Sequence, residues 1–155
     1  MTTAGGLRLF LDRSTNAKRF AEAARELCPD VQTIGDLYGV TPAEAVLDEQ
    51  WIADASVAGR ICVGADQRIL SNLLELEAII NHSARYLVFA DNNTPTRQRI
   101  AHFRELYPQL EPLADIPGPW VYKLTRGGLQ EVNGDVLRAR LAQARERLLK
   151  PGLKS

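Results

Sequence analysis

Three widely spaced aspartates stand where a carboxylate is better placed to bind a cation than to pack in a core. Asp12 ends the apolar run of residues 7–11, Asp48 stands at a helix start, and Asp66 follows the apolar residues 60–63. Oxygen ligands of this kind suit Mg²⁺ or Mn²⁺, which bind through few carboxylates and keep several waters. Such an ion can deprotonate a water molecule and stabilise charge on a phosphoryl oxygen. The three residues therefore suggest a metal-assisted displacement at phosphorus.

The elements that would position these aspartates alternate along the chain. Apolar runs bounded by turn residues predict strands at residues 7–11, 31–37, 60–63 and 85–90. Helical spacing or capping residues predict helices at residues 17–27, from 41–44 onward, at 48–59, at 73–80 and at 94–106, the last ending before Pro108. This alternation is typical of an α/β fold with a mostly parallel central sheet that is covered on both faces.

The predicted strands bring the aspartates to one edge of the sheet. Parallel strands share a carboxyl edge, where open α/β sheets bind ligands. Asp12, Asp66 and Asp91 each end a predicted strand. Asp48 begins a helix that leads into the next strand from that same edge. Clustered carboxylates repel one another unless cations or basic side chains neutralise them. The alternative is that each aspartate only caps a helix, which is a common role of this residue.

Composition limits the partners that this chain can have. Its 155 residues contain 19 basic and 19 acidic side chains, so any contact with nucleic acid must come from a local basic patch. Cys28 and Cys62 follow no metal-ligand spacing and are predicted to be buried thiols in a reducing compartment. No apolar run approaches the length of a membrane span, and no signal peptide follows Met1. These features favour a cytoplasmic protein with no membrane contact.

The C-terminal part of the chain reads as an extension of the α/β core. Residues 120–124 and 129–132 flank Arg126-Gly127-Gly128 and predict a β-hairpin. A last helix follows at 134–150, so we expect one domain over residues 1–155 with its core at 7–132. The helix pattern predicts an apolar side that packs on the domain or on a partner chain. Its basic side, which could instead lead the phosphates of a substrate toward the aspartates, carries Arg138, Arg140, Arg145 and Arg147.

Three stretches of the chain resemble the signature motifs of PIN-like ribonuclease domains. These stretches are residues 10–14, which read Phe-Leu-Asp-Arg-Ser, residues 48–52, Asp-Glu-Gln-Trp-Ile, and residues 62–69, Cys-Val-Gly-Ala-Asp-Gln-Arg-Ile. The closest likeness is to the compact branch found among VapC-type toxins of toxin–antitoxin pairs. A late strand of that branch resembles residues 117–122, Pro-Gly-Pro-Trp-Val-Tyr. The resemblance implies a PIN-like three-layer fold and a metal-dependent endoribonuclease that selects single strands.

The resemblance also implies roles for individual residues. By position, the family's metal ligands and catalytic aspartates fall on Asp12, Asp48 and Asp66, with Mg²⁺ or Mn²⁺ as the cofactor. It implies an RNA substrate and a cognate antitoxin protein, and a homodimer is compatible with it. The secondary candidates are Glu49 and Asp91 as metal partners and Arg13 and Arg68 as contacts to the substrate phosphate. The alternatives are that Glu49 only interacts with the helix dipole, Asp91 only forms a turn and Arg68 is an ordinary solvated side chain.

One departure from that family and two other classes of protein define the alternatives. The VapC-type branch usually has Thr-Lys-Asp where this chain has Gly64-Ala65-Asp66. The missing lysine leaves open a PIN-like protein that has lost its chemistry and binds RNA or protein. A response-regulator receiver needs an acidic pair on the first strand, where residues 7–12 supply only Asp12. A haloacid-dehalogenase-type phosphatase needs a second aspartate two residues later, where Ser14 stands.

Overall fold

The computed structural model of the protein describes residues 7–12, 18–34, 36, 48–90 and 94–149. Its strands are β1 (Leu9–Leu11), β2 (Val31–Thr33), β3 (Ile61–Gly64), β4 (Arg85–Phe89), β5 (Trp120–Thr125) and β6 (Gly128–Val132). Its α-helices are α1 (Lys18–Leu27), α2 (Asp48–Val57), α3 (Leu73–Asn81), α4 (Thr96–Leu110) and α5 (Gly134–Leu149). Two 3₁₀ helices lie at Gln67–Leu70 and Glu111–Asp115.

The six strands form one sheet in the order β2-β1-β3-β4-β5-β6. The neighbouring pairs from β2 to β5 are parallel, and only β5 and β6 are antiparallel. The predicted α/β fold with a mostly parallel sheet and a C-terminal hairpin is therefore confirmed. The hairpin does not stand apart from the core, because β5 pairs along its length with β4. From β1 the chain goes to β2 on one side and then to β3 on the other.

Helices cover both faces of the sheet, which gives the predicted three layers. Side chains alternate between the faces along each strand, so Leu9 and Leu11 pack in one core cluster and Phe10 packs in the other. We call the side covered by α1 and α4 the first face, and the side covered by α2, α3 and α5 the second face. Cys28 and Cys62 are buried free thiols in these two clusters, as the sequence predicts.

Helix α4 continues past the end predicted from Pro108. A proline inside a helix removes one hydrogen bond and costs about 3 kcal/mol or more. Leu106, Tyr107 and Leu110 are nevertheless buried around it. Burying each large side chain contributes about 1.5–3 kcal/mol, which together exceeds the cost of one proline in the last turn. The prediction that this helix ends near Leu106 is therefore wrong, because packing on the first face outweighs the local signal.

Strand β2 is shorter than the segment predicted at residues 31–37. The side chain of Asp36 accepts a hydrogen bond from the Thr33 N–H at 2.9 Å, and Thr33 Oγ1 accepts one from the Asp36 N–H at 3.0 Å. This reciprocal pair is a capping box, which turns the chain into a helical conformation after Thr33. The helix start predicted at residues 41–44 lies outside the described residues. None of the described helices combines the length and the apolar character that crossing a bilayer requires.

Candidate active site

Asp12 lies at the carboxyl edge, directly after the central strand β1. Its N–H donates to the Val63 carbonyl at 3.0 Å, which continues the pairing of β1 with β3 by one residue. The alternation that places Phe10 on the second face places Asp12 there as well. Its side chain is only 8% exposed. Because β1 is the point at which the strand order reverses, Asp12 stands at the topological switch point, where open α/β sheets bind their ligands.

The buried carboxylate of Asp12 receives a hydrogen bond from strand β4, which lies beyond β3 in the sheet. The Tyr86 hydroxyl donates to Asp12 Oδ2 at 2.8 Å, and the Tyr86 side chain is buried on the second face. Burial and the negative charge of Asp12 raise the pKa of Tyr86 well above its ordinary value. The phenol therefore stays protonated at neutral pH and remains a donor, and such charge-assisted bonds are the stronger ones in proteins.

Gly64 leaves the space in which this hydrogen bond forms. A Cβ atom added to Gly64 would lie 2.6 Å from the Tyr86 hydroxyl oxygen and even closer to Asp12 Oδ2. Neither distance is compatible with an unchanged arrangement of the two side chains. Glycine is therefore required at this strand end for space rather than for an unusual backbone conformation.

Asp66 lies two residues after β3, the strand next to β1. It caps the 3₁₀ helix Gln67–Leu70, because its Oδ1 accepts the Arg68 N–H at 3.0 Å. The exposed Arg68 guanidinium also donates to both carboxylate oxygens, with Nε 2.9 Å from Oδ1 and Nη2 2.6 Å from Oδ2. These contacts lower the pKa of Asp66 below its ordinary value. Asp66 therefore caps a helix, as the alternative interpretation expects, and it is also a charged carboxylate at the carboxyl edge.

Helix α2 begins at Asp48 and approaches the same edge on the second face. Trp51, three residues later, stacks on Phe10 with ring centroids 5.5 Å apart and contacts the Tyr86 ring at 5.8 Å. Residues three apart share a face of a helix, so Asp48 occupies the face of α2 that carries Trp51, one turn nearer the carboxyl edge. The backbone thus brings the Asp48 position toward Asp12, while the Asp48 side chain lies outside the described part.

The remaining predicted site residues are largely beyond what the structure describes. Arg13 and Asp91 fall in undescribed segments, and for Glu49 only the backbone is described. Arg68 forms an ion pair with Asp66, and its contact to the substrate phosphate stays a prediction. Among the side chains that are described, no group of three His, Cys, Asp or Glu residues is arranged to hold a metal ion. The described part of the site therefore consists of Asp12 and Asp66 on adjacent strands.

A cavity of about 230 Å³ opens at the same edge, between the ends of β4 and β5 on the first face. Its lining residues are Phe89, Ala90, Thr94, Gln98, His102, Leu124, Thr125 and Arg126. These residues supply hydrogen-bonding groups and one positive charge but no carboxylate. The cavity can contact a substrate that follows the edge of the sheet, and the described residues that line it include no set of ligands for a divalent cation.

Sequence reasoning missed Tyr86, Gly64 and Trp51. Tyr86 and Trp51 read as ordinary core aromatics, and Gly64 as the end of a strand. One usable signal was the alternation of β4, which puts Tyr86 on the same face as Asp12. Nothing in the sequence, however, reports that a tyrosine on one strand and a carboxylate on another meet above a glycine on a third.

A comparison with protein families decides the identity of the fold. A profile described as "PIN like domain" matches residues 7–91, which is more than half of the chain. The chain belongs to the PIN-like domain family. The matched segment begins in the residues before β1 and extends just past β4, so it contains Asp12, Asp48 and Asp66 and both strands at the switch point.

One curated relative of this PIN-like protein carries a functional name. The chain is 27% identical over 114 residues to the protein named "Putative ribonuclease VapC45" from Mycobacterium tuberculosis (strain ATCC 25618 / H37Rv). The match covers 74% of this chain and 83% of the relative. No solved structure matches the chain significantly.

The donors at the edge of this PIN-like sheet fit a hard divalent cation. The described donors are carboxylate oxygens without histidine or thiol, which suits Mg²⁺ or Mn²⁺ rather than softer metals. The Arg68 guanidinium already binds both oxygens of Asp66, so this carboxylate is held beside a positive charge. Ala65, where the related branch usually has lysine, is buried in the first core cluster, so Arg68 supplies the positive charge beside Asp66 instead.

Proposed function

We propose that this protein is a metal-dependent endoribonuclease that hydrolyses phosphodiester bonds of single-stranded RNA. The observation that carries the proposal is the placement of Asp12 and Asp66 after adjacent parallel strands at the switch point of the sheet. Membership in the PIN-like family and the likeness to a relative named as a ribonuclease support the same activity. The cellular role we propose is that of the toxin in a VapBC-like pair, with a cognate antitoxin protein as its partner.

Asp12, Asp48 and Asp66 would hold the Mg²⁺ or Mn²⁺ ion, with Glu49 and Asp91 as secondary candidates. The ion would supply an activated water and stabilise charge on the phosphoryl oxygens. Asp12 is held in one orientation by its burial and by Tyr86. Arg68 is highly exposed, so its ion pair with Asp66 is easily exchanged. We propose that Arg68 leaves Asp66 when a cation binds there and turns to the substrate phosphate, together with Arg13.

Cleavage of RNA by the wild-type chain tests this function. The purified protein should cut single-stranded RNA in the presence of Mn²⁺ or Mg²⁺ and should stop when the ion is chelated. Duplex RNA of the same sequence serves as the matched substrate and should be cut more slowly. Binding of RNA without cleavage at any metal concentration would instead identify the chain as a binding module.

The arginines of α5, for which the sequence left open either a solvated side of a packing helix or guidance of RNA, are divided between two edges of the sheet. Because β6 runs antiparallel, α5 begins near the amino edge and runs back toward the carboxyl edge. Arg138 lies in the first half of the helix and pairs with Asp135 at 3.7 Å. Arg145 pairs with Glu77 of α3, and Arg147 lies 3.5 Å from the Ser71 carbonyl, just after the segment that carries Asp66. We therefore propose that only the second half of α5 guides RNA.

Replacing Arg145 and Arg147 with glutamine should flatten the salt dependence of RNA binding. Each lost phosphate contact should reduce the log–log slope by about 0.7 to 1. The matched control is Arg138→Gln, about 10 Å or more away along the helix at 1.5 Å per residue, which should leave the slope unchanged. The measurement is a salt series of single-stranded RNA binding with the Asp12→Asn background, which prevents cleavage. An equal loss of slope in the control and the double variant would contradict the divided face.

A further inference from the structure

The contact between Tyr86 and Asp12 links three strands at the candidate site. Asp12 follows β1, Gly64 ends β3 and Tyr86 lies within β4, so the three residues stand on consecutive strands of the sheet. The hydrogen bond from Tyr86 to Asp12 therefore passes over Gly64. Any larger residue at position 64 would occupy the space between the two oxygens.

The Tyr86 hydroxyl is held in place by rigid surroundings. Tyr86 lies opposite Cys62 in a strand that is paired on both sides. Its ring is only 2% exposed and contacts Trp51, which is itself stacked on Phe10. A donor fixed in this way by packing and strand pairing can hold an acceptor within the narrow geometry that a metal ligand requires.

Fixing Oδ2 of Asp12 also limits the orientation of the other carboxylate oxygen, Oδ1. The carboxylate is planar, so a hydrogen bond that fixes Oδ2 on a buried side chain also restricts the direction of Oδ1. A group that hydrogen-bonds to a metal ligand without binding the metal itself orients that ligand and tunes its basicity. Loss of such a group typically lowers metal affinity or activity by about 10–100-fold. A tyrosine is suited to this role because its hydroxyl donates to the carboxylate and its ring fills the core below.

We propose that Tyr86, acting across the gap at Gly64, is the positioning residue that orients Asp12 toward a divalent cation. This inference rests on the proposed metal-dependent function and adds to it a residue that orients one of the proposed ligands, Asp12. Tyr86 does not touch substrate or cation itself. Gly64 is also required for this arrangement, because the absence of a side chain at position 64 allows the Tyr86 hydroxyl to reach the Asp12 carboxylate.

Two single variants and one control test the role of Tyr86. Tyr86→Phe removes the hydroxyl and keeps the ring, while Gly64→Ala keeps the hydroxyl and fills the gap. Tyr122→Phe is the matched control, because Tyr122 lies on the next strand, packs on the first face and has its ring against Trp120. The readouts are the affinity for Mn²⁺ measured by calorimetry without RNA, the Mn²⁺ concentration that gives half-maximal cleavage, and the melting temperature.

We expect Tyr86→Phe and Gly64→Ala each to weaken Mn²⁺ binding by about 10-fold or more, while Tyr122→Phe binds as the wild type does. Saturating Mn²⁺ should restore much of the cleavage rate of Tyr86→Phe, because the ligand itself is still present. The two changes should not be additive in the double variant, since they disrupt one hydrogen bond.

Unchanged Mn²⁺ affinity in folded Tyr86→Phe protein would overturn the positioning role while leaving the nuclease function standing. Weakened binding in Tyr122→Phe to the same degree would overturn it too, because the effect would then be a general one on the sheet. Failure of the wild type to bind Mn²⁺ at all would refute the metal-dependent function and the positioning role together.

Discussion

Asp12→Asn should reduce RNA cleavage by at least about a hundredfold and abolish detectable Mn²⁺ binding. A bound cation contributes several kcal/mol of charge stabilisation, and each ~1.4 kcal/mol corresponds to a factor of ten in rate. Asparagine keeps the shape of the side chain and can still accept the Tyr86 hydrogen bond, but it removes the charge that holds the cation. Cells expressing the wild-type chain without its antitoxin should stop growing, and cells expressing Asp12→Asn should grow.

The stability of Asp12→Asn distinguishes a site residue from a structural one. Burying a charge is unfavourable in the absence of a cation, and Asp12 is only 8% exposed. The free energy of unfolding of the metal-free variant, measured with urea, should therefore equal or exceed that of the wild type. The control is Asp115→Asn, which changes an exposed carboxyl of the 3₁₀ helix after α4 and should alter neither cleavage nor growth. If Asp12→Asn is strongly destabilised and loses cleavage only to the extent that it unfolds, the role of Asp12 is structural instead.

Trp51→Ala should lower the free energy of unfolding by about 3–5 kcal/mol, the range typical of truncating a buried aromatic side chain. Trp51 is 1% exposed and joins α2 to Phe10 and Tyr86. Because domains are stable by only about 5–15 kcal/mol, this change should remove a large fraction of the total. Trp51→Phe, which keeps an aromatic ring, should lose clearly less. Urea denaturation of the metal-free proteins measures both values.

Trp120→Ala is the matched control for a specific effect of Trp51 on the site. Trp120 is as buried as Trp51 but packs in the core cluster of the first face, away from Asp12. Both variants should be destabilised, whereas Mn²⁺ affinity at temperatures where they remain folded should fall only for Trp51→Ala. Equal losses of affinity would mean that the site responds to overall stability and not to the packing beneath Tyr86 and the start of α2.

Local signals in the sequence were sufficient for most of the secondary structure. The apolar runs that precede Asp12 and Asp66 form buried strands, and the hairpin closes across Arg126 and Gly127. Asn133 caps α5, with its side chain accepting the Val136 N–H at 3.0 Å. These features depend on residues close together in the chain, whose local preferences agree with the final fold. Where a local signal competed with packing, as at Pro108, the packing prevailed.

The carboxyl edge was also predictable, because its location follows from strand direction alone. Any parallel arrangement of the strands before Asp12 and Asp66 puts both residues at one edge. The order of the strands was not predictable in the same way. That β1 and β3 are neighbours, so that the two aspartates follow adjacent strands at the switch point, depends on how the whole sheet packs against helices on both faces.

The sequence by itself determined which segments form apolar strands followed by aspartates, and that the candidate metal ligands are all oxygen donors. The tertiary structure alone decided which groups support them. Tyr86 and Asp12 are 74 residues apart, and their hydrogen bond exists only because β3 lies between their strands and ends in a glycine. The division of the α5 arginines has the same origin, since the direction of β6 determines which of them lie near the carboxyl edge of the sheet. Such contacts arise from the pairing of distant segments, for which neighbouring residues in the chain carry no signal.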